Sequence, residues 1–163
     1  MPNAPESEPA ESAAGQAERL RRLAMVAERS SNAVVLADAQ RTMVWVNSAF
    51  TAITGLTEQE SLGQRLGILL ARGNADPAVF AQFTDAVAHG RGLKREIHIH
   101  ATNGDARWAL IDLQPIHDEA GAVSGWVLVA TDLTDVRSQQ QMLSLAVDGA
   151  GLGTWQWQEV APT

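Results

Sequence analysis

The sequence predicts an α+β domain, with five antiparallel strands in one sheet and helices packed on one of its faces. Three observations predict it. Two short apolar runs pair early in the chain, at 33–38 and 43–46. Three longer alternating runs follow residue 93, the first two joined by Asn103-Gly104, a strong hairpin signal. Between the two groups Asp76-Pro77 opens the clearest helix, with Asp as N-cap and Pro at the first helical position.

Residues 1–15 are rich in Pro, Glu, Ser and Ala and are expected to form a disordered tail. Over 16–30 the pattern turns helical and amphipathic, with Leu20, Leu23, Ala24 and Ala27 on one face. The folded domain is expected over 31–134. Asn47 follows the second strand and suits the N-cap of a short helix. Thr57-Glu58-Gln59-Glu60 reads as a capping box opening another, which Gly63 stops. Phe80, Phe83 and Val87 form a stripe on the longer helix, and His89-Gly90 fits its C-terminal end. Strands then run from 93 to 101, from 107 to 116 and from 125 to 131, the last two joined by a turn at Gly121. A polar helix follows to about 148, with Thr134 placed to cap it.

Apolar residues make up 45% of the 163 residues, enough for a core. The net charge of −7 and absence of a basic stripe argue against a nucleic-acid partner. No apolar run is long enough for a membrane span and no signal peptide is visible, so a cytoplasmic protein is expected. The chain has no cysteine and no tyrosine, which excludes disulfides, thiol chemistry and phenol chemistry. The carboxylates scatter over turns and helix starts, with no catalytic constellation or phosphate-binding glycine loop, so no enzyme is expected.

Trp45-Val46-Asn47-Ser48-Ala49-Phe50, closed by Gly55, and the later Thr131-Asp132-Leu133-Thr134-Asp135 resemble the two ends of a PAS sensory domain. Leu113-Gln114-Pro115-Ile116 with Asp118 to Gly121 adds a third match, and the resemblance covers about 23–137. Residues 149–163, from Gly149 through Trp155 and Trp157, resemble the opening of a second such domain. The chain then reads as a segment of a longer multi-domain bacterial signalling protein. The resemblance implies an output domain in the same polypeptide, a histidine kinase or a cyclic-di-GMP enzyme. Leu20, Leu23 and Ala27 before the domain form an apolar stripe, and Val136, Met142, Leu143 and Ala146 after it a looser one. Such stripes need a partner, so a homodimer through the flanking helices, at 16–30 and 135–148, is expected.

The middle of the chain is most similar to the light-oxygen-voltage (LOV) subclass, which binds FMN. That subclass has its photoactive cysteine where this chain has Leu66, its phosphate-binding arginines at Gly67 and Thr84, its ring-binding asparagines at Ile99 and Ala109, and its switch glutamine at Ala130. All six polar handles are missing, which excludes the LOV photocycle and argues against FMN held in the LOV manner. Redox-sensing PAS domains that bind FAD carry an aromatic residue on the long helix where Phe83 falls. Phe83 equally belongs to the apolar stripe of that helix.

Alternation, set by the LOV comparison, points Val35, Ala37, Ile97, Ile99, Ala109, Ile111, Leu128 and Ala130 inward. Phe80 and Phe83 are expected to face them, with Asn47 the nearest polar side chain. Three of these inward residues are alanine, leaving room for a flavin such as FAD or a lipid-like ligand, unless the pocket closes. Closure would leave a cofactor-free dimerisation module. Glu96, His98 and His100 share the opposite face of their strand, and an outward solvated or interface role is expected rather than a metal site. Haem is disfavoured, since its ligand position in such domains falls on Ala78.

Overall fold

The computed structural model describes residues 13–72 and 76–149. A helix, α1 (Ala13–Glu28), leads into strands β1 (Ala33–Asp38) and β2 (Met43–Val46). Four helices follow: α2 (Ser48–Thr54), α3 (Glu58–Ser61), α4 (Ile68–Arg72) and α5 (Pro77–Ala88). Strands β3 (Leu93–His100), β4 (Ala106–His117) and β5 (Val123–Asp132) complete the sheet, and α6 (Thr134–Gly149) leaves it. The five strands are antiparallel in the order β2-β1-β5-β4-β3. The expected α+β class and five-stranded sheet are therefore present.

Local chemistry sets the boundaries. The Asn47 side chain caps α2 at the Phe50 N–H, and Gly55 ends that helix at φ 73°. Thr57 and Glu60 form the reciprocal capping box of α3. Asp76 caps α5 by accepting from the Ala78 N–H. At the β3–β4 hairpin Gly104 adopts φ 89°, which a side chain resists, and the Asn103 carboxamide accepts from the Asp105 N–H. α1 begins three residues before the expected tail ends, because Ala13 and Ala14 are strong helix formers. The rest of the expected tail, and the expected second-domain start from residue 150 on, lie outside the described residues.

The core lies between the inner face of the sheet and helices α2 to α5. Val35, Ile111, Leu113, Trp126 and Leu128 from the strands meet Phe50, Ile53, Leu66, Leu69, Leu70 and Phe83 from the helical side in one buried cluster. Both flanking helices lie outside it. α6 buries none of its residues, and Leu23, Met25 and Val26 of α1 are exposed. The side chain of Leu20 lies outside the described residues. Among the described residues no helix is long and apolar enough to cross a membrane.

Candidate functional site

Every strand residue expected to point inward does so. Val35, Ala37, Ile97, Ile99, Ala109, Ile111, Leu128 and Ala130 are all at most 4% exposed. Register explains why: Ala33, Val35 and Ala37 oppose Ala130, Leu128 and Trp126 across β1 and β5, so one parity fills the inner face. Trp126 belongs to that parity and was missed, although extending the alternation from Leu128 finds it. Its side chain is 2% exposed and its indole N–H has no partner. Of the six LOV handle positions, Leu66, Ile99, Ala109 and Ala130 are core, while Gly67 and Thr84 sit at the rim.

Three expectations need correction. Phe83 is buried, but Phe80 is 47% exposed and does not face the sheet. Helical spacing allows a stripe at 79, 83, 86 and 87 as readily as one at 80, 83 and 87. The helix takes the first, burying Phe83, Ala86 and Val87 with Val79 packed against the core. Phe80 instead lines an open cleft with Arg41, Arg65, Phe83 and Thr84.

Asn47 is buried, but its polar atoms are committed. Its Oδ1 accepts from the N–H groups of Val34 (2.9 Å) and Phe50 (3.1 Å). Its Nδ2 donates to the carbonyls of Ala27 (2.8 Å) and Asn32 (3.0 Å). A carboxamide offers two donors and two acceptor sites, so nothing remains to orient a ligand. The residue acts as a joint between α1, β1 and α2.

A second joint sits where β5 becomes α6. The Asp132 carboxylate accepts from the Thr134 N–H (2.9 Å) and from Arg107 (3.0 Å). Burial alone would raise the Asp132 pKa, but hydrogen bonds from Thr134 and Arg107 outweigh it and hold the carboxyl below its ordinary value. The Thr134 hydroxyl does not cap α6 as expected. It accepts from the Trp108 N–H (3.1 Å), while Asp132 takes up the N–H of Thr134 itself.

One turn into α6, Arg137 lies over the Trp108 ring, 4.0 Å from its centroid, and pairs with Glu96 on β3. His98 also packs against Trp108, the two ring centroids 4.6 Å apart. Glu96, His98 and His100 thus face outward, as expected. This cluster was not anticipated, because its members are far apart in sequence and only the sheet register brings them together.

A family model described as the PAS fold matches residues 27–138, more than half of the chain. The chain belongs to the PAS family. Curated relatives of this PAS domain include a blue-light-activated histidine kinase from Rhizobium johnstonii, 28% identical over 78% of this chain and 38% of the relative. The bacterioopsin transcriptional activator of Halobacterium salinarum is 26% identical over 65% of this chain and 16% of its own length. The chain therefore spans well under half of the curated relatives it matches.

Among solved structures, an RNA-binding light-oxygen-voltage receptor superposes with a TM-score of 0.69 at 26% identity, over 92% of this chain and 43% of that one. The LOV domain of an Erythrobacter litoralis blue-light-activated histidine kinase gives 0.59 at 19% identity, over 65% of this chain and 99% of that one. At that identity the second likeness speaks for the fold alone. The chain is a PAS/LOV-like sensory domain without the cysteine of the LOV photocycle.

Proposed function

We propose that this PAS domain senses a small ligand or a redox state and passes the change through α1 and α6 to an output domain of a longer bacterial signalling protein. The observation that carries the reading is the pair of joints. Asn47 bonds the end of α1 to β1 and α2, and Asp132, Thr134 and Trp108 bond the start of α6 to β4. A shift in the sheet or in α2 therefore reaches both flanking helices through hydrogen bonds rather than through a loose linker. Histidine kinases among the relatives favour such an enzyme as the output, with a cyclic-di-GMP enzyme as the other class. The domains would run as helix (16–30), PAS domain (31–134), signalling helix (135–148) and the start of a second PAS domain (149–163).

The flanking helices also supply the means of dimerisation. Leu23, Met25 and Val26 on α1, and Val136, Met142, Leu143, Leu145 and Val147 on α6, expose apolar surface that a second copy would cover.

A flavin remains the leading cofactor, FAD rather than FMN held in the LOV manner, with Phe83 on its ring. The alternative is a cofactor-free dimerisation module, favoured by an interior that Trp126, Leu113 and Met43 help to fill. The visible absorption spectrum of the purified protein decides between them. A yellow protein that releases FAD on heating supports the sensor. A colourless one that takes up no FAD on refolding supports the module. In a yellow protein Ala109→Trp should remove the colour, and light should leave no covalent adduct, for want of a cysteine.

A further inference from the structure

We infer that His98 and His100 on β3 chelate one late first-row divalent metal ion, copper(II) or zinc(II), on the outer face of the sheet. The two side chains stand two residues apart in one strand and so leave the same face of it. Their ring centroids lie 5.4 Å apart, with the ring planes at 76°. A tetrahedral ion holding one nitrogen of each ring at about 2.1 Å puts the two ring centres about 5 Å apart. The backbone therefore already sets the span of a chelate. The sequence favoured a solvated role for this face, and the ring geometry now favours a ligand.

The rings are also free to bind. Among the described residues neither His98 nor His100 makes a hydrogen bond or an ion pair, whereas the ring of His89 is held by Asp85. Their contacts are with each other and, for His98, with Trp108. Both are half-buried, so an ion can reach them from solvent. β3 is the last strand of the sheet, and no further strand covers its outer edge. The residue opposite His100 on β4 is the small Ala106, which leaves that ring room to turn. His117, at the end of β4, has no histidine two residues away and offers no such pair.

The donors specify the ion. Imidazole nitrogens suit copper and zinc, while magnesium and calcium take oxygen ligands. Copper(II) should bind more tightly than zinc(II), following the usual order of divalent affinities. Glu96 shares the face but is engaged by Arg137, so water completes the coordination. His98 rests on Trp108, whose ring also carries Arg137, which sets the ion one side chain from the anchor of α6. The site lies on the outside of the sheet, so it does not depend on what fills the interior.

The test titrates copper(II), zinc(II) and magnesium chlorides into the whole chain in a non-coordinating buffer, followed by calorimetry and tryptophan fluorescence. One copper ion should bind per chain, with zinc weaker and magnesium not binding. Electron paramagnetic resonance of the copper form should show two nitrogen ligands. His98→Gln and His100→Gln should each weaken copper binding about a hundredfold, because the strand holds the second imidazole at high effective concentration. Bound copper should quench a share of the fluorescence that Trp108→Phe removes, a reading taken with both histidines intact. His89→Asn and His117→Asn should leave the affinity unchanged.

Undiminished binding in both β3 histidine variants would overturn the site, as would one ion shared between two chains. Magnesium bound as tightly as copper would do the same. Copper bound only at millimolar concentration would mean histidines acting singly, and a loss of binding in His89→Asn would place the ion on α5; either result also overturns the chelate.

Discussion

The Asn47 side chain donates to the Ala27 carbonyl at 2.8 Å, across 20 residues of sequence, and so bonds the last turn of the N-terminal helix to the heart of the domain. The same carboxamide serves β1 and α2, which makes it the hub of three elements. Its replacement removes four hydrogen bonds at a site that is 1% exposed. Asn47→Ala should therefore cost about 3–5 kcal/mol, since unpaired buried groups lose more than the net worth of the bonds. Urea denaturation measures it, and a loss under about 1 kcal/mol would contradict the hub. Amides in the last turn of α1 should also exchange faster in the variant.

Asp132 gives the domain a defined acid response. Its folded pKa lies below the ordinary value of 3.8, so the deprotonated form favours the folded state. That contribution is fully present above about pH 4 and is lost as pH falls through the lowered folded value. Asp132→Asn should be less stable than the parent at pH 7, and the gap should narrow below pH 4. A gap independent of pH would show that the carboxylate's charge is immaterial. In the longer protein Asp132→Ala should leave the core folded while uncoupling output from signal. A normal response, or failure to fold, would remove Asp132 from the transmission path.

The contact of Arg137 with Trp108 and Glu96 fastens the first turns of α6 without burying them. Arg137 and Glu96 are each more than two-fifths exposed, so their pairing contributes at most about 1 kcal/mol to stability. Arg137→Gln should barely alter the unfolding midpoint, yet raise hydrogen exchange through the first two turns of α6. Unchanged exchange would mean that the Thr134–Trp108 bond alone holds the helix.

Dimerisation is expected from what the flanking helices leave uncovered. The outer face of the sheet adds half-buried Val34, Leu36, Trp108, Leu110, Val127 and Val129. Sedimentation should give a dimer at high micromolar concentration, and deletion of residues 1–30 should weaken it. A monomer, or a dimer indifferent to that deletion, would contradict the arrangement.

Much of this was legible in the sequence because local chemistry dictated it. Asn47, Thr57 and Asp76 each cap the helix their residue types announced, and Asn103-Gly104 turns where its backbone freedom allows. Strand parity gave the inner face correctly, since a one-residue slip would have buried Glu96 and His98 instead of Ile97 and Ile99. What failed depended on tertiary placement. Adjacent apolar residues at 79 and 80 make two stripes of equal merit, and only packing against the sheet chooses between them. The bridge of Thr42 to Arg65, and the pairing of Arg137 with Glu96, join segments far apart in sequence that no local pattern connects. Asn47 was correctly read as a cap, but its other three bonds were invisible because their partners are backbone groups elsewhere.

Trp126 offers the sharpest probe of whether the interior holds anything. Its indole N–H is buried without a partner, at the end of β5 that pairs with Ala37. An orphaned donor of this kind costs about 1–3 kcal/mol. Trp126→Phe removes it, but also removes packed volume, a loss of similar size. In a ligand-free domain the two should offset, leaving stability within about 1 kcal/mol of the parent. If a cofactor or buried water accepts from this N–H, the substitution loses a real hydrogen bond as well as volume, and should cost about 2–4 kcal/mol. Thermal unfolding of the variant beside the parent reads the difference. The closed interior predicts the smaller figure, and the larger one, together with release of a chromophore on heating, would mean that the core of this PAS domain is occupied.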